Sequence, residues 1–220
     1  MSDVPVIAID GPSASGKGTV AQLVAQELGF HYLDSGALYR LVALAAMRAG
    51  TGLDDESKVA ALALGMDLRF EGAEVWLGGE RVTEAIRSEE CSIAASRVAA
   101  LAEVRTALLR RQRAFRQPPG LVADGRDMGS VVFVDAGLKV FLTAGAGERA
   151  ERRLKQLKGK GIAATLAGLQ QDLRERDARD ASRRVAPLKQ SPGARLLDTT
   201  AMSAAQAAAQ IVGWYRGAKG

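Results

Sequence analysis

Gly11-Pro12-Ser13-Ala14-Ser15-Gly16-Lys17-Gly18-Thr19 decides the reading of this chain because of what flanks it. Before it, Val4-Pro5-Val6-Ile7-Ala8-Ile9 is an apolar run ended by Asp10-Gly11-Pro12, the pattern of a buried strand entering a tight turn. After it, Val20, Leu23, Val24 and Leu28 recur at helical spacing, and Gly29 stands where a helix stop is expected. Strand, glycine-rich loop and helix is the context that gives the pattern G-x-x-x-x-G-K-[ST] its physical meaning. Gly11 and Gly16 let the backbone curl so that successive N–H groups face one anion. The helix start adds a partial positive charge and Lys17 a whole one. Gly18 takes the place of the motif's hydroxyl residue, and the hydroxyl follows at Thr19. The loop is expected to hold the phosphates of a nucleoside triphosphate. The competing reading is a glycine-rich turn that contains a lysine.

Working outward, 220 residues suffice for one α/β domain with an insertion or for two small domains. With 47% apolar and 25% charged residues the composition is that of a soluble globular protein. No run approaches the roughly 20 apolar residues of a membrane span, and the N-terminal residues lack a leader's basic flank and apolar core. The net charge of +5 fits nucleic acid, or arginines clustered for a phosphate-rich small substrate. One cysteine, Cys91, excludes an internal disulfide and reads as a packing residue in a reducing compartment. The expected location is the cytoplasm.

Phe30-His31-Tyr32-Leu33-Asp34 reads as a second strand, and Ser35-Gly36 opens a helix with Leu38, Leu41, Val42 and Ala45 as its apolar stripe. Asp54-Asp55 starts a helix through Leu64. From Asp67 to Val82 the pattern alternates around Glu71-Gly72-Ala73 and Gly78-Gly79, which predicts a small antiparallel meander interrupting a β-α-β chain. Helical pattern resumes near Thr83 and runs with breaks to Phe115, and Pro118-Pro119-Gly120 ends it. Leu121–Asp124 and Leu138–Thr143 read as strands, about Glu148–Leu157 and Leu166–Ser182 as helices, and Arg195–Asp198 as a fifth strand. Ser203 with Gln206 forms a capping box for a last helix that buries Ala207, Ala208, Ile211, Val212 and Tyr215. Strands alternating with helices argue for an α/β fold with a five-stranded parallel sheet covered on both faces.

Three features bear on chemistry. Val122-Ala123-Asp124 ends a strand in a carboxylate able to steer Mg²⁺, directly or through water, and Asp124-Gly125-Arg126-Asp127-Met128-Gly129 continues into the crevice at the strand ends. Asp34-Ser35-Gly36-Ala37-Leu38-Tyr39-Arg40 opens into the same crevice; the competing reading of these charges is a solvated turn. Second, Arg176, Arg179, Asp180 and Arg183 share one face of a helix. Such a face is either a solvated mixed-charge surface or, given the forked guanidinium groups, a phosphate clamp. Arg105, Arg110, Arg111, Arg113 and Arg116 form another basic cluster, expected to lie mostly on the surface. Third, His31 is the only histidine, and no Ser-His-Asp set or Cys/His metal cluster is in sight. An alcohol acceptor calls for a positioned general base, whereas a phosphate acceptor is already ionised and calls for positioning and charge neutralisation. Many arginines and no obvious base point to phosphate-to-phosphate transfer.

These residues together resemble the bacterial cytidylate (CMP/dCMP) kinases, a branch of the nucleoside monophosphate kinases. The resemblance covers essentially the whole chain. It rests on Asp10 through Thr19, Leu33 through Arg40, Ala95-Ser96, Arg105 with Arg110-Arg111-Gln112-Arg113, Ala123 through Gly129, and Arg176 through Asp180 with Arg183. The order Lys17-Gly18-Thr19 is that family's own usage, and Ala14 stands where its members often have glycine. The resemblance implies that Gly11 to Thr19 holds ATP with Lys17 spanning the β- and γ-phosphates. It implies a monophosphate site of Ser35, Arg40, Arg126, Arg176, Asp180 and Arg183, with Ser35 and Asp180 towards the sugar, and cytosine readers Ser96, Arg105 and Asp127. Lys17, Arg126, Arg176 and Arg183 are then the catalytic set, and Asp124 and Thr19 the candidate Mg²⁺ ligands.

The fold implied is one phosphate-loop kinase domain over 1–220, with a CMP-binding insert at about 63–100 and a lid at about 152–181 that includes Lys155, Lys158 and Lys160. Its substrates would be ATP and CMP or dCMP, with Mg²⁺, in a monomer that binds neither nucleic acid nor membrane. Two rivals stand beside it: a kinase of another monophosphate or small phosphorylated metabolite, and a phosphate-loop module that binds RNA. The aromatic content of 5% is low for the stacking that RNA recognition favours.

Overall fold

The apolar run at the start of the chain forms β1 (Val6–Asp10), in which every residue is buried. It can be apolar throughout because it lies at the centre of a parallel sheet with both faces covered. The computed structural model describes residues 4–72, 74–159 and 161–218. Within them β2 (His31–Asp34), β6 (Leu121–Gly125), β7 (Leu138–Thr143) and β8 (Arg195–Asp198) join β1 in one five-stranded sheet of order β2-β6-β1-β7-β8. All four pairings are parallel. β1 therefore pairs β6 on one side and β7 on the other, and the chain changes direction across it. The carboxyl end of such a central strand is where open α/β sheets bind ligands. Asp10, Asp34, Asp124 and Asp198 all stand at or next to that edge.

The chain divides into two compact units, one made of the chain up to Asp34 with Ala114 onward, the other of Ser35–Arg113. In the first, α1 (Lys17–Leu28) and α8 (Ala204–Gly217) bury Val20, Val24, Ile211, Val212 and Tyr215 against Ile7, Ile9, Val140 and Leu142 of the sheet. The Tyr215 ring meets Phe30 edge-on at 5.7 Å between centroids. Gly29 ends α1 in the left-handed conformation at φ 65°, and the Ser203–Gln206 capping box starts α8 as the sequence predicts. α6 (Ala146–Lys158) and α7 (Leu166–Ser182) close a smaller apolar cluster of Ala150, Leu157, Leu169 and Leu173.

The second unit holds α2 (Ser35–Arg48), α3 (Glu56–Gly65), α4 (Glu89–Val98), α5 (Ala102–Ala114, whose last residue belongs to the first unit) and a three-stranded antiparallel sheet. Its strands are β3 (Leu68–Glu71), β4 (Glu74–Leu77) and β5 (Glu80–Arg81). Gly78 and Gly79 both adopt positive φ, 57° and 78°, the requirement of a two-residue hairpin turn between twisted strands. Ala73 of the other turn and Lys160 lie outside the described residues.

Past β6, Met128–Val132 winds into one π-helical turn in which Val132 and Phe133 donate to the carbonyls of Asp127 and Met128. One expectation needs correction. The basic cluster on α5 and just after it is less superficial than expected. Arg105 is buried, Arg111 donates to the carbonyls of Leu64 and Met66, and Arg116 donates to Val4 O and to Asp135. They satisfy backbone groups at element ends, which a charge count cannot reveal.

The approach of the glycine loop to β7 is a strict packing constraint. A Cβ on Gly11 would lie 2.0 Å from the carbonyl oxygen of Leu142, an atom fixed in the sheet. Gly11→Ala should destabilise the protein by about 3 kcal/mol, the upper end of ordinary overpacking. Urea unfolding measures this, and an unchanged midpoint would contradict the close approach.

Candidate active site

The loop between β1 and α1 has the backbone of an anion nest. Ala14 at φ 57° and Gly16 at φ 89° are both left-handed, and Gly16 is the N-cap of α1. Lys17 opens the helix and bends back to donate from Nζ to the Pro12 carbonyl at 3.2 Å. Below it lie the carboxylates of Asp124 and Asp34, partners in register across β6 and β2. Burial lowers the affinity of Lys17 for its proton, Arg126 pushes the same way, and Asp124 opposes them. Burial and the neighbouring Asp34 raise the Asp124 carboxyl, while Lys17 opposes. Tyr32 donates its hydroxyl to Asp124 Oδ2 at 3.1 Å, and burial beside two carboxylates keeps that phenol protonated.

This cluster explains the departure at Gly18. A Cβ there would fall 3.0 Å from Asp124 Oδ2 and 3.6 Å from the Tyr32 hydroxyl. A hydroxyl-bearing side chain at position 18 would crowd the carboxylate beneath the lysine. Thr19, one position on, is exposed.

Arg126 joins the loop to α7. Its Nε and one terminal nitrogen donate to Asp180 Oδ2 and to Ser13 Oγ, both at 2.8 Å. Arg183 pairs with the other oxygen of Asp180. Burial pushes the Asp180 carboxyl up, but Arg126 and Arg183 outweigh it and hold the group below the usual carboxylate range. Arg176 adds its field at both Asp180 and Lys17. Lys17, Arg126, Arg176, Asp180 and Arg183 are thus brought into one electrostatic cluster. Arg179, placed on the same face by its spacing, instead points to solvent and lies 4.0 Å from Glu175, and Arg183 stands just past the helix end.

Asp127 is buried at the head of the π-helical turn, and Asp10 holds that turn in place. The two oxygens of Asp10 accept from the amides of Met128 and Gly129 at 2.8 and 2.9 Å. Burial raises the Asp10 carboxyl to about 6, the two amides pull it back, and Asp127 adds to the rise.

In the second unit, Ser35 is buried at the first position of α2, and Arg40 follows on that helix, its carbonyl accepting from the Cys91 thiol. Ser96 on α4 is buried, and its hydroxyl has no hydrogen-bond partner among the described residues. Arg105 on α5 donates to the Ala99 carbonyl and stacks over Tyr39, 5.6 Å from the ring centre.

Sequence reasoning missed Arg149, Arg152, Asp177 and Thr199. Arg149 is buried, bridges the Ser13 carbonyl at 3.2 Å and Asp177 at 2.6 Å, and donates to Ala144 O. Asp177 falls on the inner face of α7 with Leu169, Leu173 and Asp180, a 3.6-residue pattern that could have revealed it.

A nest of amides, a partly buried lysine and a ring of guanidinium groups at the carboxyl edge of a parallel sheet make this a phosphate-loop nucleotide-binding protein of the α/β class. A family model described as cytidylate kinase matches residues 7–216. A cytidylate kinase of Chromobacterium violaceum is 59% identical over 96% of each chain. Those of Polynucleobacter asymbioticus and Nitrosomonas europaea are 56% and 54% identical, over 99% of this chain and 99% and 97% of theirs. The chain belongs to the cytidylate kinase family.

The Asp10 bracket is testable in isolation. Asp10→Ala leaves two buried amides without an acceptor and should cost on the order of 2–5 kcal/mol, with Asp10→Asn, which keeps one acceptor, losing less. Because the folded-state value lies above the ordinary 3.8, ionisation penalises the folded form as pH rises towards about 6. The stability advantage of the wild type over Asp10→Asn should therefore shrink across that window and stay level above it. Denaturant titrations at several pH values check both statements, and an advantage that grows with pH would contradict the second.

Proposed function

We propose that this protein transfers the γ-phosphoryl group of MgATP to CMP or dCMP, releasing ADP and CDP or dCDP, by direct in-line displacement. The observation that carries the reading is Arg126. Its guanidinium ties the phosphate loop at Ser13 to Asp180, so one rigid fork serves both the donor loop and the arginines assigned to the acceptor. Membership of the cytidylate kinase family supports the same assignment.

In this reading Gly11 to Thr19 receives the ATP phosphates and Lys17 spans β and γ. A lysine held in a buried, partly like-charged setting gains its full charge balance when the anionic chain arrives. Arg126, Arg176 and Arg183, with Ser35 and Arg40, take the 5′-phosphate and orient it, and Asp180 and Ser35 take the sugar. Cytosine is read by Ser96, Arg105 and Asp127. A buried serine hydroxyl with no partner among the described residues is a polar group that a base edge would satisfy. Asp127 accepts from the exocyclic amino group, where uracil would present a carbonyl to a carboxylate. No group is needed to remove a proton, since the acceptor oxygen is already ionised at neutral pH.

Asp124, backed by Asp34 and Tyr32, and the Thr19 hydroxyl would hold Mg²⁺ directly or through water. All offer the hard oxygen donors that ion takes, and Gly18 adds no Cβ to the space beside Asp124 Oδ2. When bound, the ion neutralises charge on the transferring phosphates. We further assign the protein to the cytoplasm as a monomer. Among the described residues no helix is long and apolar enough to cross a membrane, and the buried thiol of Cys91 suits a reducing compartment.

A coupled ADP-release assay with MgATP against CMP, dCMP, UMP, AMP and GMP tests the reading, which expects the highest kcat/KM with CMP and dCMP. Preference for another monophosphate would overturn the roles of Ser96, Arg105 and Asp127. Turnover with none of the five would overturn the acceptor class. In the same assay Lys17→Ala should lower kcat by about three decades, as loss of a charge at the transition state does. Asp127→Ala should shrink the CMP-over-UMP ratio by at least about tenfold while leaving turnover measurable.

A further inference from the structure

Two arginines of α6 hold the phosphate loop by its carbonyls. Arg149 donates to the Ser13 carbonyl at 3.2 Å, and Arg152 donates to the Ser15 carbonyl at 3.0 Å. Neither guanidinium is loose. Arg149 is itself buried and anchored on Asp177 and Ala144 O. Arg152 is fixed on Glu148 at 2.8 Å, on the Thr199 hydroxyl at 3.1 Å and on the Thr199 carbonyl at 2.6 Å. Thr199 in turn donates to the Thr143 carbonyl at 3.0 Å, which ties the arrangement to the end of β7.

In a planar trans peptide the carbonyl and the N–H of one unit point in opposite directions. The Ser13 carbonyl shares its peptide with the Ala14 amide, and the Ser15 carbonyl shares its peptide with the Gly16 amide. Fixing those two oxygens on the α6 side therefore turns the Ala14 and Gly16 amides to the other side, into the concavity of the nest. These are the two left-handed residues of the loop, at φ 57° and 89°. The conformation is uphill for alanine by about 1–2 kcal/mol and needs outside support to persist. The Ala14 side chain supplies some of it by packing against the apolar cluster that α6 and α7 share.

We propose that Arg149 and Arg152 are positioning residues that set the two anion-facing peptides of the phosphate loop, so that helix α6 preorganises the triphosphate site. This rests on the reading above that the loop binds ATP. Arg152 does most of its work as a fork, reaching the Ser15 and Thr199 carbonyls at once, which a lysine's single point charge cannot reproduce.

The test compares the full-length wild type with Arg152→Gln, Arg152→Lys and Thr199→Val. Calorimetry gives the Kd of ATP and, separately, of CMP, and amide NMR follows Ala14 and Gly16 during titration with MgATP and with inorganic tripolyphosphate. Expected for Arg152→Gln is an ATP Kd raised at least tenfold with the CMP Kd within twofold of wild type. The downfield shift of the Gly16 amide on tripolyphosphate should be lost, and that of Ala14, held by Arg149, kept. Arg152→Lys should fall between, and Thr199→Val should weaken ATP severalfold.

A wild type that binds neither ATP nor tripolyphosphate would overturn the loop assignment itself. A wild type that binds ATP while Arg152→Gln binds it equally well, or keeps the Gly16 shift, would overturn this inference alone. Should Arg152→Gln fail to fold, Thr199→Val with an unchanged ATP Kd and Gly16 shift overturns it.

Discussion

A lysine taken partly out of water above two strand-end carboxylates is the constraint on which the rest of the first unit depends. Charges in such a position interact far more strongly than in bulk water, and an unbalanced one is expensive. Lys17 is balanced from below by Asp124 and Asp34 and opposed from the side by Arg126 and Arg176. The sheet makes this possible because parallel strands in register bring Asp34 and Asp124 to the same level. Gly18 suits the same arrangement, since a Cβ there would come within 3.0 Å of Asp124 Oδ2. The cluster is poised for a polyanion, which would satisfy the lysine and the arginines together.

The arginine cluster in this unit is organised by Asp180. One buried carboxylate holds Arg126 on one oxygen and Arg183 on the other, and the two cations hold it ionised. Two guanidinium groups are thereby fixed before any substrate is present. Little side-chain entropy then remains to be lost on binding, which is how positioning converts into rate in the proposed transfer. Asp10 does the corresponding work for the backbone, bracketing the turn that carries Asp127. A single broken partner in such a buried network leaves a bare charge or bare amides behind, so its members stand or fall together.

Much of this was legible in the residue pattern. The strands at Leu138–Thr143 and Arg195–Asp198 and the helix at Leu166–Ser182 appear with the bounds their periodicity predicts, because apolar spacing and caps are local signals. The phosphate loop was legible for the same reason, with strand, glycines, lysine and helix all lying within one stretch. What escaped is non-local. The π-helical turn at Met128–Val132 is held by a carboxylate 118 residues away in sequence. Gly18 looks like a motif defect until Asp124 is placed beneath it. Arg149 and Asp177 lie on two different helices and meet as an ion pair only when α6 and α7 pack. Arg179 failed in the opposite sense, because equal spacing on a helix says nothing about which neighbours the face will meet.

In the proposed reaction, charge placement alone, with no protein nucleophile and no general base, carries the phosphoryl group from donor to acceptor. Rapid acid quench of the enzyme with γ-³²P-labelled MgATP and CMP measures this most directly. The account predicts that label appears in CDP from the first turnover and that none is bound to protein, whether or not CMP is present. Acid-stable label on the protein that forms without CMP and disappears when CMP is added would contradict it.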